Sequence, residues 1–393
     1  MVNGWKTKKL GEVAEVCMCK RIFAHQTSKI GNIPFYKIGT FGKKADAYIS
    51  GQLYEEYKAK YSYPEKGDVL ISAAGTLGRT VVFDGRPAYF QDSNIVWLKI
   101  DKSQLSNDYL AQYYKVIKWA SSEGSTISRL YNGIICDTEI LLPPLEEQVA
   151  IAEALSDVDS LIFSLQKLIA KKKTIKQGAM QELLTGKKRL PGFCQKLVKK
   201  YLKEIIAPRK ERINPAEIDN RRCIELEHIE PNSGKILGYC ESKEQKSLKT
   251  IFYPNDILWG KLRPYLRKYA HPKFSGVCST EFWVFNAIDQ YACNDFMYYL
   301  LQTEDFVSAA NSTTGTKMPR ADWNLVQELE VKIPADKNEQ RAIAQVLSDM
   351  DSEIEQLERK LVKYQQIKQG MMQELLTGRI RLIGTDRGDI SEV

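Results

Sequence analysis

The chain has 393 residues, 43% of them apolar and 27% charged, which is enough for two or three domains with their own cores and excludes a disordered polymer. No run of about eighteen apolar residues is present, and the opening MVNGWKTKKLGEVAEV lacks the apolar stretch of a signal peptide, so a cytoplasmic protein is expected. Fifty-seven Lys and Arg against forty-nine acidic residues leave a net charge of +8, which permits a polyanionic partner without requiring one.

Short strands dominate residues 1–145: IPFYKI, GDVLIS, RTVVF and NIVWLKI are apolar or period-two runs separated by Gly, Asp and Lys. One amphipathic helix is expected from Asp108 to Ser121, then a loop from Gly124 to Asn132 and a last strand from Thr138 to Leu142. A long helix follows, and residues 187–196, KKRLPGFCQK, form a basic connector. Then the plan repeats. KKLGEV around Leu10 is answered by KYLKEI around Leu202, and GDVLISAAGTLGR from Gly67 by NDILWGKLRPYLR from Asn255. NIVWLKI from Asn94 has its counterpart in EFWVFNA from Glu281, and GSTISRLYN from Gly124 in STTGTKMPR from Ser312. The expected boundaries are therefore 1–145 and 197–335 for two α/β domains, 146–186 and 336–378 for two helices, and 379–393 for a tail.

The helices are the clearest duplication. From Glu147 and from Glu339 the chain agrees with itself at 26 of 44 positions, without a gap, at an offset of 192. Steps of four and three place Ile151, Leu155, Val158, Ile162, Leu165 and Ile169 on one seam, and Ile343, Leu347, Met350, Ile354, Leu357 and Leu361 on the other, as in a coiled coil. Pro143 and Pro144 suit the opening of the first helix, and Asp336 with Glu339 a capping box at the second; Gly186 and Gly378 suit left-handed stops. A helix of some forty residues is about 60 Å long, whereas ten connector residues span at most about 35 Å, which favours antiparallel pairing. The fold class expected is thus α+β, with two α/β domains in tandem and a long antiparallel two-helix coiled coil.

Residues for catalysis are missing from the pattern. There is no DPPY-like or NPPY-like tetrapeptide for methylating an amine, no GxGxxG after a strand and no complete phosphate loop, and GTLGRT at Gly75 lacks both the first glycine and the lysine. His25, His228 and His271 stand alone, and of eight cysteines only Cys17 and Cys19 are close, so reduced thiols are read rather than a zinc site. No metal and no cofactor is expected. Asp157, Asp159, Asp349 and Asp351, in the repeated SDxD, point two ways from a helix and read as a solvated face. Gly178 and Gly370, inside helices in both copies, suggest close backbone approach or partner docking, and a duplication that never drifted explains them nearly as well.

Basic, hydroxyl and aromatic residues gather instead at matching loops. Thr76, Arg79, Ser125, Thr126 and Arg129 do so in the first half, and Lys261, Arg263, Arg267, Lys317 and Arg320 in the second. Arg can address guanine with two bonds, and hydroxyls or Lys can address phosphate. Any one of these could be an ordinary surface charge; their recurrence in both halves favours a double-stranded DNA interface.

Over its whole length the sequence resembles the specificity subunits of type I restriction-modification systems. The residues that carry the likeness are PPLEEQ with IAEALSDVD, IPADKNEQRAIAQVLSDMD, and KQGxMQELLTG closing both helices. The resemblance implies two target-recognition domains that each read one half of a split DNA site, helices that set the gap, and docking of two methyltransferase subunits, with restriction subunits as further partners. It implies a non-catalytic subunit. The alternatives are a self-contained methyltransferase or nuclease, which the missing motifs disfavour, and a protein-binding scaffold, which the basic loops disfavour.

Overall fold

A computed structural model describes residues 4–117, 119, 129–217, 219–312 and 319–382. The chain divides into two compact units, Met1–Gln166 with Lys360–Val393, and Lys167–Arg359. Each unit holds one α+β lobe and a part of both long helices, which run over Leu145–Leu183 and Lys337–Leu375.

The first lobe is built on a four-stranded antiparallel sheet in the order Ala14–Met18, Ile95–Ile100, Val69–Ser72, Thr80–Val82. Strand alternation sends its two faces into two cores. Val69, Ile71, Val96 and Leu98 pack with Ile151 and Leu155 of the first long helix and Leu375 and Leu376 at the end of the second. Leu70, Ile95 and Trp97 pack instead with the three-stranded sheet Ala47–Ile49, Ile33–Tyr36, Tyr89–Phe90. A ribbon of Lys6–Lys9 against Glu139–Leu142 ties the start of the lobe to the strand that feeds the helix.

The second lobe repeats this frame. Its sheet runs Ile206–Pro208, Phe282–Ala287, Ile257–Gly260, Tyr269–Ala270, and a ribbon pairs Leu197–Tyr201 with Glu330–Pro334. Ile257, Trp259, Trp283 and Phe285 join Leu183, Leu184, Ile343 and Leu347, while Leu258, Phe282 and Val284 face a five-stranded sheet.

Within each unit the start of one long helix packs beside the end of the other, so the helices pair antiparallel. Ile151, Leu155, Leu165, Ile169, Ile343, Leu347 and Ile354 are buried, and Val158, Ile162, Met350, Leu357 and Leu361 are half-buried. Gly186 and Gly378 take φ of 70° and 72° and end the helices, with Lys188 N–H and Ile380 N–H reaching back six residues to Glu182 and Glu374 carbonyls.

Four details differ from the sequence expectation. Asp336 does cap its helix, accepting the Asn338 N–H at 2.8 Å, but Glu339 completes no capping box. Its buried carboxylate takes two bonds from Arg189, and Glu147 likewise takes Arg381 at 2.6 Å and the Trp5 indole N–H at 3.0 Å. A charge-assisted bidentate pair outweighs one backbone N–H when the carboxylate has lost its water. The SDxD motif is only half solvated. Asp157 and Asp349 are exposed, whereas Asp159 accepts from Lys368 and Lys115 and Asp351 from Lys176 and the Tyr299 hydroxyl. Nothing lies within 4 Å of a Cβ built on Gly178 or Gly370, so no close backbone approach among the described residues requires either glycine. The helix expected from Asp108 to Ser121 is the shorter Asn107–Tyr113, followed by tightened turns in which Lys115 and Val116 N–H groups bond three residues back.

Burial pushes the Asp159 carboxyl up, but hydrogen bonds and charge from Lys115 and Lys368 outweigh it and hold the pKa below its ordinary 3.8. A carboxyl lowered in the folded state stabilises the fold above its unfolded pKa and loses that contribution as pH falls through the folded value. Asp159→Asn should therefore lower stability at pH 7 by about 1 kcal/mol, a charge-assisted bond discounted for partial exposure. The gap between variant and parent in urea titrations should close below about pH 4; a gap constant from pH 7 to pH 3 would show that the lysines do not act on this carboxylate.

Candidate nucleic-acid interface

In each lobe the two loops picked out in the sequence meet. The loop after Val69–Ser72 touches the later loop through an isolated bridge, Ala74 against Arg129, and the loop after Ile257–Gly260 does so through Leu262 against Arg320. Strand register fixes the equivalence. Ile71 pairs with Thr80 and Trp259 with Tyr269, so the second hairpin loop is one residue longer. End-to-end alignment of the strings sets Arg79 against Arg267 and Arg129 against Lys317. The structure instead matches Arg79 with Lys268, Gly78 with Arg267, and Arg129 with Arg320.

In the first lobe, Thr76 is exposed and its carbonyl holds the Ser72 hydroxyl. The Arg79 guanidinium donates to the Phe41 carbonyl at 3.1 Å, and that of Arg129 to the Ser93 carbonyl at 3.2 Å, while lying over the Tyr131 ring at 5.9 Å. Carbonyl partners orient an arginine without neutralising it, so both charges remain for an anion. Ser125 and Thr126 lie outside the described residues.

The second lobe is more cationic. Arg263 is exposed, with no side-chain partner among the described residues. Arg267 pairs with Glu304 at 2.6 Å, and Arg320 with Glu281. Burial lowers the Lys261 pKa, and the cations of Arg320 and Arg212 depress it further against the pull of Glu281. Burial is the main cause, so the shift by itself does not mark an anion site; what places Lys261 near one is its position among Arg320, Arg212 and the bridged loops. Lys317 lies outside the described residues. Sequence reasoning missed Arg212 and Lys268. Neither repeats at a matching string position, and Arg212 approaches Lys261 only because Arg212–Ile213 pairs with Lys249–Phe252 in the five-stranded sheet.

Among the described residues no group of three or more His, Cys, Asp or Glu is placed to hold a metal ion, and no helix is long and apolar enough to cross a membrane. A depression of 830 Å³ in the first lobe is lined, among the described residues, by Tyr113, Tyr131 and Ile134 with the carboxylates of Asp137 and Glu139 and by no cation, which suits it poorly to a polyanion.

If the bridge arginines contact bases, Arg129→Ala and Arg320→Ala should each cost about 1–3 kcal/mol of binding, on separate halves of one site. Motif sequencing with binding titrations over a range of salt checks this. Unaltered recognition in both variants would make these loops ordinary surface.

The chain matches the model of the family described as type I restriction modification DNA specificity domain over residues 3–177 and 216–366. It is 56% identical over 160 residues to a Haemophilus influenzae protein named as a type I restriction enzyme specificity subunit, an alignment covering 41% of this chain and 42% of that one. It is also 22% identical over 414 residues to the EcoDI specificity subunit of Escherichia coli, covering 96% of this chain and 88% of the relative. Its fold is similar to the crystal structure of the type I restriction-modification S subunit from M. genitalium, with a TM-score of 0.61 at 15% identity over 95% of this chain and 96% of that one. Two lobes of one frame on paired helices, with cationic loops repeated at matching places, agree with these likenesses: the chain belongs to the type I restriction-modification DNA specificity family, as a non-catalytic subunit that recognises a bipartite DNA sequence and acts with other restriction-modification subunits.

Proposed function

We propose that the lobe in residues 1–145 reads one half of the DNA site and the lobe in residues 197–335 the other, each through its pair of bridged loops. The observation that carries this reading is the recurrence of Arg129 and Arg320 at equivalent bridges, on frames whose loops otherwise differ. The two long helices set the gap between half-sites. Exchanging residues 197–335 for those of a related chain should then replace one half of the methylated motif and leave the other half and the gap length as they were. Methylome sequencing reads all three. A change in both halves would remove the independence of the lobes, and a changed gap would assign spacing to the lobes rather than the helices.

Methyltransferase subunits dock on the helices, one at each copy of the repeat and so two in all, and restriction subunits join that complex. Support comes from residues that are identical in both copies yet exposed: Ser156, Asp157 and Ser160 with their counterparts Ser348, Asp349 and Ser352, and Ile175 with Ile367, 46% and 40% exposed. An exposed isoleucine kept twice, beside a glycine with open space around it, is better explained by a shared partner than by the fold. Ile175→Arg and Ile367→Arg should each remove one methyltransferase subunit from the assembled complex while leaving the melting temperature of the chain nearly unchanged. Native mass measurement of two subunits in both variants would place docking elsewhere.

A further inference from the structure

Three left-handed positions recur in the central hairpin of both lobes. At its entry Gly67 and Asn255 have φ of 96° and 67°. Four residues after Ile71 and four after Trp259 stand Gly75 and Arg263, with φ of 66° and 51°. Two before Thr80 and two before Tyr269 stand Gly78 and Arg267, with φ of 72° and 49°. The backbone takes the same corners in both lobes, but the residues that fill them do not follow one rule. At the entry glycine is replaced by asparagine, the side chain that tolerates this conformation best. At the two loop corners it is replaced by arginine, whose Cβ makes the left-handed region unfavourable.

The two arginines differ in what they hold. Arg267 is tied to Glu304, whereas the Arg263 side chain is exposed and has no partner among the described residues. The base of Arg263 is nonetheless rigid. Its N–H donates to the Pro319 carbonyl at 2.8 Å, its carbonyl accepts the Leu266 N–H at 2.9 Å, Pro264 follows it, and Leu262 before it is bridged to Arg320. A fixed stem with a free, planar, two-pronged tip is what bidentate recognition of a base edge needs. A phosphate contact would be served as well by a mobile lysine at an unstrained position.

We infer that Arg263 reads a guanine in the second half-site, donating both prongs to its O6 and N7, and that the left-handed corner is retained because it aims this side chain. The inference rests on the reading of the bridged loops as the DNA surface and adds the base they select. The first lobe, with glycine at this corner, makes no such contact from it.

The test uses the purified full-length chain and a pool of randomised duplex DNA from which bound sequences are recovered. Arg263→Gly restores the residue of the first lobe, so it should fold at least as well as the parent and raise the Tm by about 2–4 °C as the strain is released. It should lose selection for guanine at one position of the second half-site, by about 5- to 150-fold, with the first half-site unchanged. Arg263→Lys keeps the charge without the fork and should lose the same selection. If both variants recover the parental motif while Arg320→Ala still alters the second half-site, the inference is wrong and the DNA surface stands. If Arg320→Ala is equally silent, the surface reading itself fails. A uniform loss of affinity with a shallower salt dependence would make Arg263 a phosphate contact, and a Tm that does not rise would remove strain from the argument; either result overturns the inference.

Discussion

Two carboxylates, those of Glu147 and Glu339, constrain how the chain can be laid out. Each is 1% exposed or less at the first turn of a long helix, where the free N–H groups favour a negative charge. A buried carboxylate left without a cation costs several kcal/mol, so the arginine that follows the opposite helix must return to it: Arg381 to Glu147 and Arg189 to Glu339. The left-handed turns at Gly186 and Gly378 make that return possible. At Gly186 the tip of the Leu197 side chain, at the start of the ribbon strand of the second lobe, stands where a Cβ would be, so a larger residue there would have to displace it as well as take a left-handed φ of 70°. The antiparallel arrangement and the helix ends are the ones that satisfy these charges.

On that frame the lobes diverge where they meet solvent. The first places its loop arginines on backbone carbonyls, and the second pairs Arg267 and Arg320 with acids and leaves Arg263 without a side-chain partner among the described residues. The sheet cores hardly register this difference, because the arginines that differ stand outside them, although Ala73 and Leu130 of the first pair of loops and Ala321 of the second pack into the apolar clusters. A recognition surface can therefore change without disturbing what holds the lobe together.

Much of this was legible in the sequence wherever the governing interaction is local. Heptad spacing in the helices, glycines at their ends and the divergence of i and i+2 on a helix are properties of a few neighbouring residues. The pairing of Glu339 with Arg189 depends on residues 150 apart and could not be separated from a capping box by spacing alone. The loops show the same limit. A one-residue insertion in the second hairpin hides the match of Gly78 with Arg267, which only strand register reveals, and only the isolated bridges show that Arg129 corresponds to Arg320. The SDxD reading failed for one aspartate of each pair because its partner lysine sits on another helix.

The order in which the units become complete follows from their make-up. The unit formed by Lys167–Arg359 is one uninterrupted segment, whereas the unit that holds the amino terminus also needs Lys360–Val393. During synthesis from the amino end, the first lobe emerges early with Glu147 uncompensated and the apolar seam of its helix uncovered, and it stays so until Leu375, Leu376 and Arg381 leave the ribosome. Of the two lobes, the earlier in the chain is completed after the later one. Until then its seam stays open to water, and a chain halted between Arg359 and Leu375 holds every residue of the contiguous unit but lacks the residues that close the amino-terminal one.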